Sequence, residues 1–217
     1  MTVAHNQGHF AMLDNALRPK IDPWLMQAAV FLKGLGLTPN QLTVVGFVIG
    51  LAAMVAIMFG SFLLGLLLFL TNRLLDGLDG ALARLGKPSQ AGAYLDIVFD
   101  FIIYSGIVFA CAVERPEVGL VAAFTIFSFI GTGSSFLAMA IFANDAPTVS
   151  NDQNTKGFYY LAGLTEGFET MLFIALILMF PSGFQVFALV FGILCWITTA
   201  QRIRLSYRYL SEPGRGR

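Results

Sequence analysis

From Gln41 onward the chain is a succession of apolar runs, each close to the ~20 residues that a helix needs to cross a bilayer. They fall at about residues 41–60, 62–84, 91–113, 118–142, 158–180 and 184–206. In hydrocarbon every backbone polar group must be satisfied internally, and a helix does this within one segment. The expected fold is therefore all-α and integral to the membrane, with six transmembrane helices. Composition agrees: 57% of the 217 residues are hydrophobic and 12% are charged, against roughly a quarter charged in soluble domains. An ordinary soluble enzyme is excluded.

The residues before the first run divide in two. Residues 1–22 are polar and mixed, and read as an N-terminal arm. Residues 23–36, PWLMQAAVFLKGLG, are too short to span and read as an amphipathic helix in the interface, with Trp24, Leu25, Ala28, Phe31 and Leu32 as its apolar face. The arm lacks an apolar h-region, so no cleavable signal peptide is expected and the first span directs insertion. Thr38-Pro39-Asn40 supplies capping chemistry for the first span. One membrane domain over 23–210 and a polar tail at 211–217 complete the organisation. Cys111 and Cys195 stand inside apolar runs without metal-type spacing, and read as packing residues.

Six spans place both termini on one side of the membrane. That side then holds Arg18, Lys20, Lys33, Arg84, Lys87, Lys156, Arg202, Arg204, Arg208, Arg215 and Arg217, and the other side holds Arg115, with Arg73 inside the second span. Cytoplasmic loops carry the excess of Lys and Arg. Both termini and the loops near 85–90 and 143–157 are thus expected in the cytoplasm.

Acids inside spans cost ~2.5–3.5 kcal/mol each on insertion scales and are functional suspects by default. The second span contains Asp76 and Asp79, and the third contains Asp96 and Asp100. Spacings of i,i+3 and i,i+4 put each pair on one helix face. Asp76 and Asp79 lie ~8–12 Å along the helix from Arg84 at 1.5 Å per residue. The turn LGKPSQA makes the two spans antiparallel neighbours, so both pairs can meet at one depth near the cytoplasmic surface. Carboxylates gathered there need cations, and hard oxygen donors suit divalent metal. A two-metal site fits chemistry at phosphorus. Gly77, Gly80, Ala81 and Gly92 leave room for a ligand or a close backbone.

The run Asp76-Gly77-Leu78-Asp79-Gly80-Ala81-Leu82-Ala83-Arg84, followed by Gly92, Asp96 and Asp100, resembles the signature of the CDP-alcohol phosphotransferase (phosphatidyltransferase) family, DxxDGxxAR…GxxxDxxxD. Seven residues separate Arg84 from Gly92 where many members have eight; the difference falls in the turn and bears on contacts near Ser89 and Gln90. The six spans, the juxtamembrane helix and Pro39-Asn40 extend the likeness along most of the chain.

The resemblance implies a metal-dependent enzyme of phospholipid synthesis in a bacterial inner membrane, with a cytoplasmic active site. Asp76, Asp79, Asp96 and Asp100 would hold Mg2+ or Mn2+, two ions in all. Asp79, Gly80, Ala83, Arg84 and Gly92 would contact the CDP part of a CDP-linked lipid donor, with Asn40 and Thr43 as further contacts. Asp100 would act as general base on the hydroxyl of a small alcohol acceptor, which attacks the β-phosphorus and expels CMP. A homodimer in membrane lipid is implied, and no nucleic-acid partner.

Glu166, Glu169 and Lys156 are candidates for the acceptor pocket. The two acids suit an amine-bearing alcohol, whereas Lys156, Arg202 and Arg204 suit a phosphorylated one. A transporter that uses the same aspartates for divalent cations or protons is the alternative from another class. Against it, the acids lie near one surface and no broken-helix repeat is evident.

Overall fold

The computed structural model describes residues 12–86, 88–144, 165 and 167–211. The described residues are helical apart from short connections: α1 (Met12–Gly34), α2 (Pro39–Met58), α3 (Phe62–Arg84), α4 (Gln90–Glu114), α5 (Gly119–Asn144), α6 (Gly167–Met179) and α7 (Phe184–Leu210), with 3-10 turns at Pro116–Val118 and Pro181–Gly183. By length and composition α2, α4, α5 and α7 are able to cross a membrane, the last two together with the turns that precede them. α3 matches them in length but carries Arg73, Asp76, Asp79 and Arg84. α6 is a shorter apolar helix, and the residues expected to precede it in the same span, 158–164, lie outside the described residues.

Helix boundaries follow local chemistry. Thr38 closes a capping box at the start of α2: its hydroxyl accepts from Gln41 N at 3.4 Å, and its own N–H donates to Gln41 Oε1 at 2.9 Å. Pro39 takes the first helical turn, where its missing N–H costs nothing. Ser89 caps α4 by accepting from Gly92 N at 3.0 Å. Gly36 (φ 80°) and Gly60 (φ 77°) make the left-handed turns that end α1 and α2.

α1 begins at Met12, earlier than the expected amphipathic stretch, and lies against α3. The expected apolar face divides. Leu25 and Leu32, joined by Ala29, pack inward on Leu42, Ala81 and Leu82, while Trp24, Ala28 and Phe31 point outward. Four-residue and three-residue steps put Trp24, Ala28 and Phe31 on a different stripe from the one that meets α3.

α3 is two-faced. Leu63, Leu67, Leu70 and Leu74 are exposed along one stripe, and Phe69, Asn72 and Asp79 are buried on the other. Exposed apolar stripes of this kind also run along α2 (Val44, Val48, Val55) and α7 (Val186, Leu189, Val190). A large contiguous apolar exterior suits lipid as the surrounding solvent. Inside, Ile57, Phe69, Ile103, Ile107, Ile174, Ile177 and Phe184 are fully buried in one core shared by α2, α3, α4, α6 and α7. Cys111 and Cys195 are free thiols in that core. At the end remote from the capped N-terminus of α2, Arg115 Nη2 donates to Pro181 O at 2.6 Å and joins the α4–α5 turn to the α6–α7 turn.

Glycines set how closely the helices approach. A Cβ on Gly46 would stand 3.4 Å from Leu75 Cβ, and one on Gly50 would stand 2.5 Å from Ile103 Cδ1. These positions draw α2 onto α3 and α4. The three helices leave a cleft between them.

Candidate active site

The cleft is lined from three helices. Thr43, Gly46 and Phe47 come from α2; Asn72, Arg73, Asp76 and Asp79 from α3; and Asp96, Phe99 and Asp100 from α4. The helical periods read from the sequence explain this. Residues 72, 76 and 79 share one face of α3, and 96 and 100 share one face of α4.

Three of the four aspartates meet. Asp76, Asp96 and Asp100 each offer a carboxylate oxygen, and those oxygens lie within 4.8 Å of one another. Asp79 lines the same cleft but stands apart from this trio, with its carboxylate held by the Thr43 hydroxyl at 2.5 Å. Thr43 Oγ1 also lies 3.1 Å from Pro39 O, so the first turn of α2 orients it. Three carboxylates at this separation provide hard, anionic oxygen ligands from two rigid helices, a donor set that fits Mg2+ or Mn2+.

Arg73 forms the floor, midway along α3. Its Nη2 donates to Asp100 Oδ1 at 2.6 Å, its Nη1 to Tyr104 OH at 2.6 Å and its Nε to Asn72 Oδ1 at 2.9 Å. Asp76 Oδ2 is 3.7 Å from Nη1. The guanidinium lies 4.9 Å from the Tyr104 ring centroid and 5.8 Å from that of Phe69. Asn72 in turn donates to Gly46 O at 2.9 Å, which ties the clamp to α2. The wall between α2 and α4 is closed by Phe47 and Phe99, stacked at 3.9 Å. The sequence placed Arg73 inside a span without giving it a task, and Tyr104 drew no notice there. The signals were present: a cation at mid-span is as costly as an acid, and Tyr104 follows Asp100 by one turn.

The other sequence candidates on α2, α3 and α4 sit towards the helix ends, outside the cleft lining. Gly92 faces Asn40, since a Cβ there would stand 2.9 Å from Asn40 Oδ1 and 3.0 Å from Ser89 Oγ. The N-termini of α2 and α4 thus converge beside Asp79. Gly80 and Arg84 share the last turns of α3, and Arg84 Nη2 lies 3.6 Å from Asp22 Oδ1 with both side chains half exposed. Ala83 is partly buried in the same turn. Glu169 stands in the first turn of α6 and is not among the cleft-lining residues. Glu166 and Lys156 lie outside the described residues.

With this geometry in place, comparison with known proteins decides the family. The profile of the CDP-alcohol phosphatidyltransferase family matches residues 36–201. The chain belongs to that family. Members of it transfer substituted phosphate groups, and this CDP-alcohol phosphatidyltransferase is an enzyme of that class. It is 46% identical to inner membrane protein YnjF of Escherichia coli over 202 residues, 93% of this chain and 98% of that protein. It is 39% identical over 97 residues, 44% of this chain and 52% of the other, to archaetidylinositol phosphate synthase of Pyrococcus horikoshii. The phosphatidyltransferase fold is shared with the crystal structure of Mycobacterium tuberculosis phosphatidylinositol phosphate synthase with CDP-DAG bound, at TM-score 0.69 and 19% identity, covering 88% of this chain and 95% of that one.

Proposed function

We propose that the chain transfers a phosphatidyl group from a CDP-linked lipid, CDP-diacylglycerol, to the hydroxyl of a small alcohol and releases CMP. The observation that carries this reading is the convergence of Asp76, Asp96 and Asp100 within 4.8 Å beside the Asp79–Thr43 pair, in a member of this family. The four aspartates would hold Mg2+ or Mn2+, two ions, and bound metal would supply positive charge for the donor's pyrophosphate.

The protein's own groups do the rest. Gly80, Ala83 and Arg84 receive the CDP part at the mouth of the cleft, with Asn40 and Gly92 on the opposite lip. Arg84 meets phosphate oxygens with its planar fork. Asp100 takes the proton from the acceptor hydroxyl as its oxygen bonds to the β-phosphorus. The bond from that phosphorus to the bridging oxygen breaks, and CMP leaves with the electron pair. A cleft walled by membrane-length helices keeps acyl chains in lipid while its mouth admits the nucleotide.

In this reading α2 to α7 are the six spans, and α1 is the juxtamembrane helix. The mouth and both termini face the cytoplasm, as the Lys and Arg distribution favours. The enzyme works as a homodimer, as the family resemblance implies. Glu166, Glu169 and Lys156 remain the candidates for acceptor contact. Two of its relatives make inositol-phosphate lipids by name, so inositol phosphate heads the acceptor panel.

The test is CMP release by purified protein given CDP-diacylglycerol, Mg2+ and a panel of phosphorylated and amine-bearing alcohols, with mass spectrometry of the lipid product. One acceptor is expected to yield CMP and a matching lipid. Metal uptake into proteoliposomes without nucleotide, and no CMP from any alcohol, would favour the transporter instead.

A further inference from the structure

We propose that Arg73 is a positioning residue for Asp100 and a built-in counter-charge that sets how tightly the acidic cluster holds divalent cation. This rests on the phosphotransfer reading in taking Asp100 as the proton acceptor. The side chain of Arg73 is only 8% exposed, and all three of its nitrogens have acceptors within 2.9 Å. Those acceptors come from α3 and α4, and through Asn72 and Gly46 O the clamp reaches α2. A cation held at so many points cannot swing out to follow a substrate. It is part of the frame.

Its effect falls on particular atoms. Asp100 Oδ1 is taken by Arg73 at 2.6 Å, while Oδ2 has the longer contact, Tyr104 OH at 3.4 Å. The carboxylate is therefore pinned by one oxygen, and the other is left to receive a proton or a ligand. The same guanidinium stands 3.7 Å from Asp76 Oδ2, so two members of the trio that fits a metal already face a fixed positive charge. A resident cation at this distance opposes a second cation in a medium of reduced dielectric. It also lets four acids sit in apolar surroundings before any ion arrives.

The two roles separate by substitution. Arg73→Gln keeps hydrogen bonding and removes the charge; Mn2+ affinity, read by electron paramagnetic resonance on the purified full chain, is expected to rise at least tenfold. Arg73→Lys keeps the charge but loses the fork; Mn2+ affinity is expected to stay within about threefold of the parent, while kcat falls at least tenfold at unchanged donor KM. Tyr104→Phe frees one edge of the clamp and is expected to lower kcat with donor KM unchanged. Equal or weaker Mn2+ binding by a folded Arg73→Gln overturns the proposal, because structural glue predicts that result. If Arg73→Gln does not fold, full kcat in both Arg73→Lys and Tyr104→Phe overturns it. A parent protein that binds no Mn2+ and releases no CMP sinks the phosphotransfer reading instead.

Discussion

The Thr43 hydroxyl lies 2.5 Å from Asp79 Oδ2 and joins the first turn of α2 to the buried face of α3. Asp79 is held by this contact and is not one of the three carboxylates that gather within 4.8 Å. A hydrogen bond to a charged group contributes about 1.5–3 kcal/mol. Thr43→Val is expected to lower kcat/KM for the CDP donor by about tenfold or more, and Thr43→Ser to keep most of it. Steady-state CMP release from the purified variants checks this.

In the first turn of α4, Gly92 has no room for a methyl group unless a neighbour moves. An added methyl would meet Asn40 Oδ1 first, at 2.9 Å, and that is the tip of a side chain that can rotate away. Gly92→Ala is therefore expected to unfold near the parent temperature yet raise donor KM several-fold by displacing Asn40. Thermal unfolding in detergent and donor titration separate the two effects.

Gly50 and Gly106 present the same question in the core with different answers. A Cβ on Gly50 would meet Ile103 Cδ1 at 2.5 Å and Cγ1 at 2.9 Å, and Ile103 is fully buried. Gly50→Ala is expected to destabilise by about 1–3 kcal/mol through overpacking. At Gly106 the obstacle is the flexible end of Met54, its Cε and Sδ. Gly106→Ala is expected to cost less, since a thioether chain re-routes easily. Midpoints from detergent or chaotrope unfolding should rank the two variants in that order.

Arg84 and Asp22 pair at 3.6 Å with side chains 49% and 50% exposed. An exposed pair contributes about 0–1 kcal/mol. Asp22→Asn is thus expected to leave the melting temperature unchanged, whereas Arg84→Ala should raise donor KM by tenfold or more through lost phosphate contact. Equal effects of the two substitutions on KM would show that the pair acts as a unit.

Chelation gives a broader check. Three carboxylates within 4.8 Å repel one another without a counter-ion. EDTA is expected to abolish CMP release, and Mg2+ or Mn2+ to restore it and raise the melting temperature, since an ion that binds only the folded chain stabilises it. Differential scanning fluorimetry with and without metal measures this apart from turnover.

Much of the molecule is legible in its sequence. Apolar runs near 20 residues announce membrane-length helices, and the 3.6-residue period places Asp76 with Asp79, and Asp96 with Asp100, on single helix faces. The motif from Asp76 to Asp100 identifies the reaction class. These are local properties, carried by spacing within one helix or across one short turn.

What spacing could not carry is how the helices rotate and slide against each other. That is decided by close approaches such as Gly46 on Leu75 and Gly50 on Ile103, where tight packing leaves few alternatives. Those contacts bring Asp76, Asp96 and Asp100 together and hand Asp79 to Thr43. They also turn Arg73 from an oddity in a span into the partner of Asp100. The sequence by itself determined the helices, the acids and the chemistry they suit; the tertiary structure decided which carboxylates meet and which cation stands beneath them, because partners on different helices are chosen by packing and not by period.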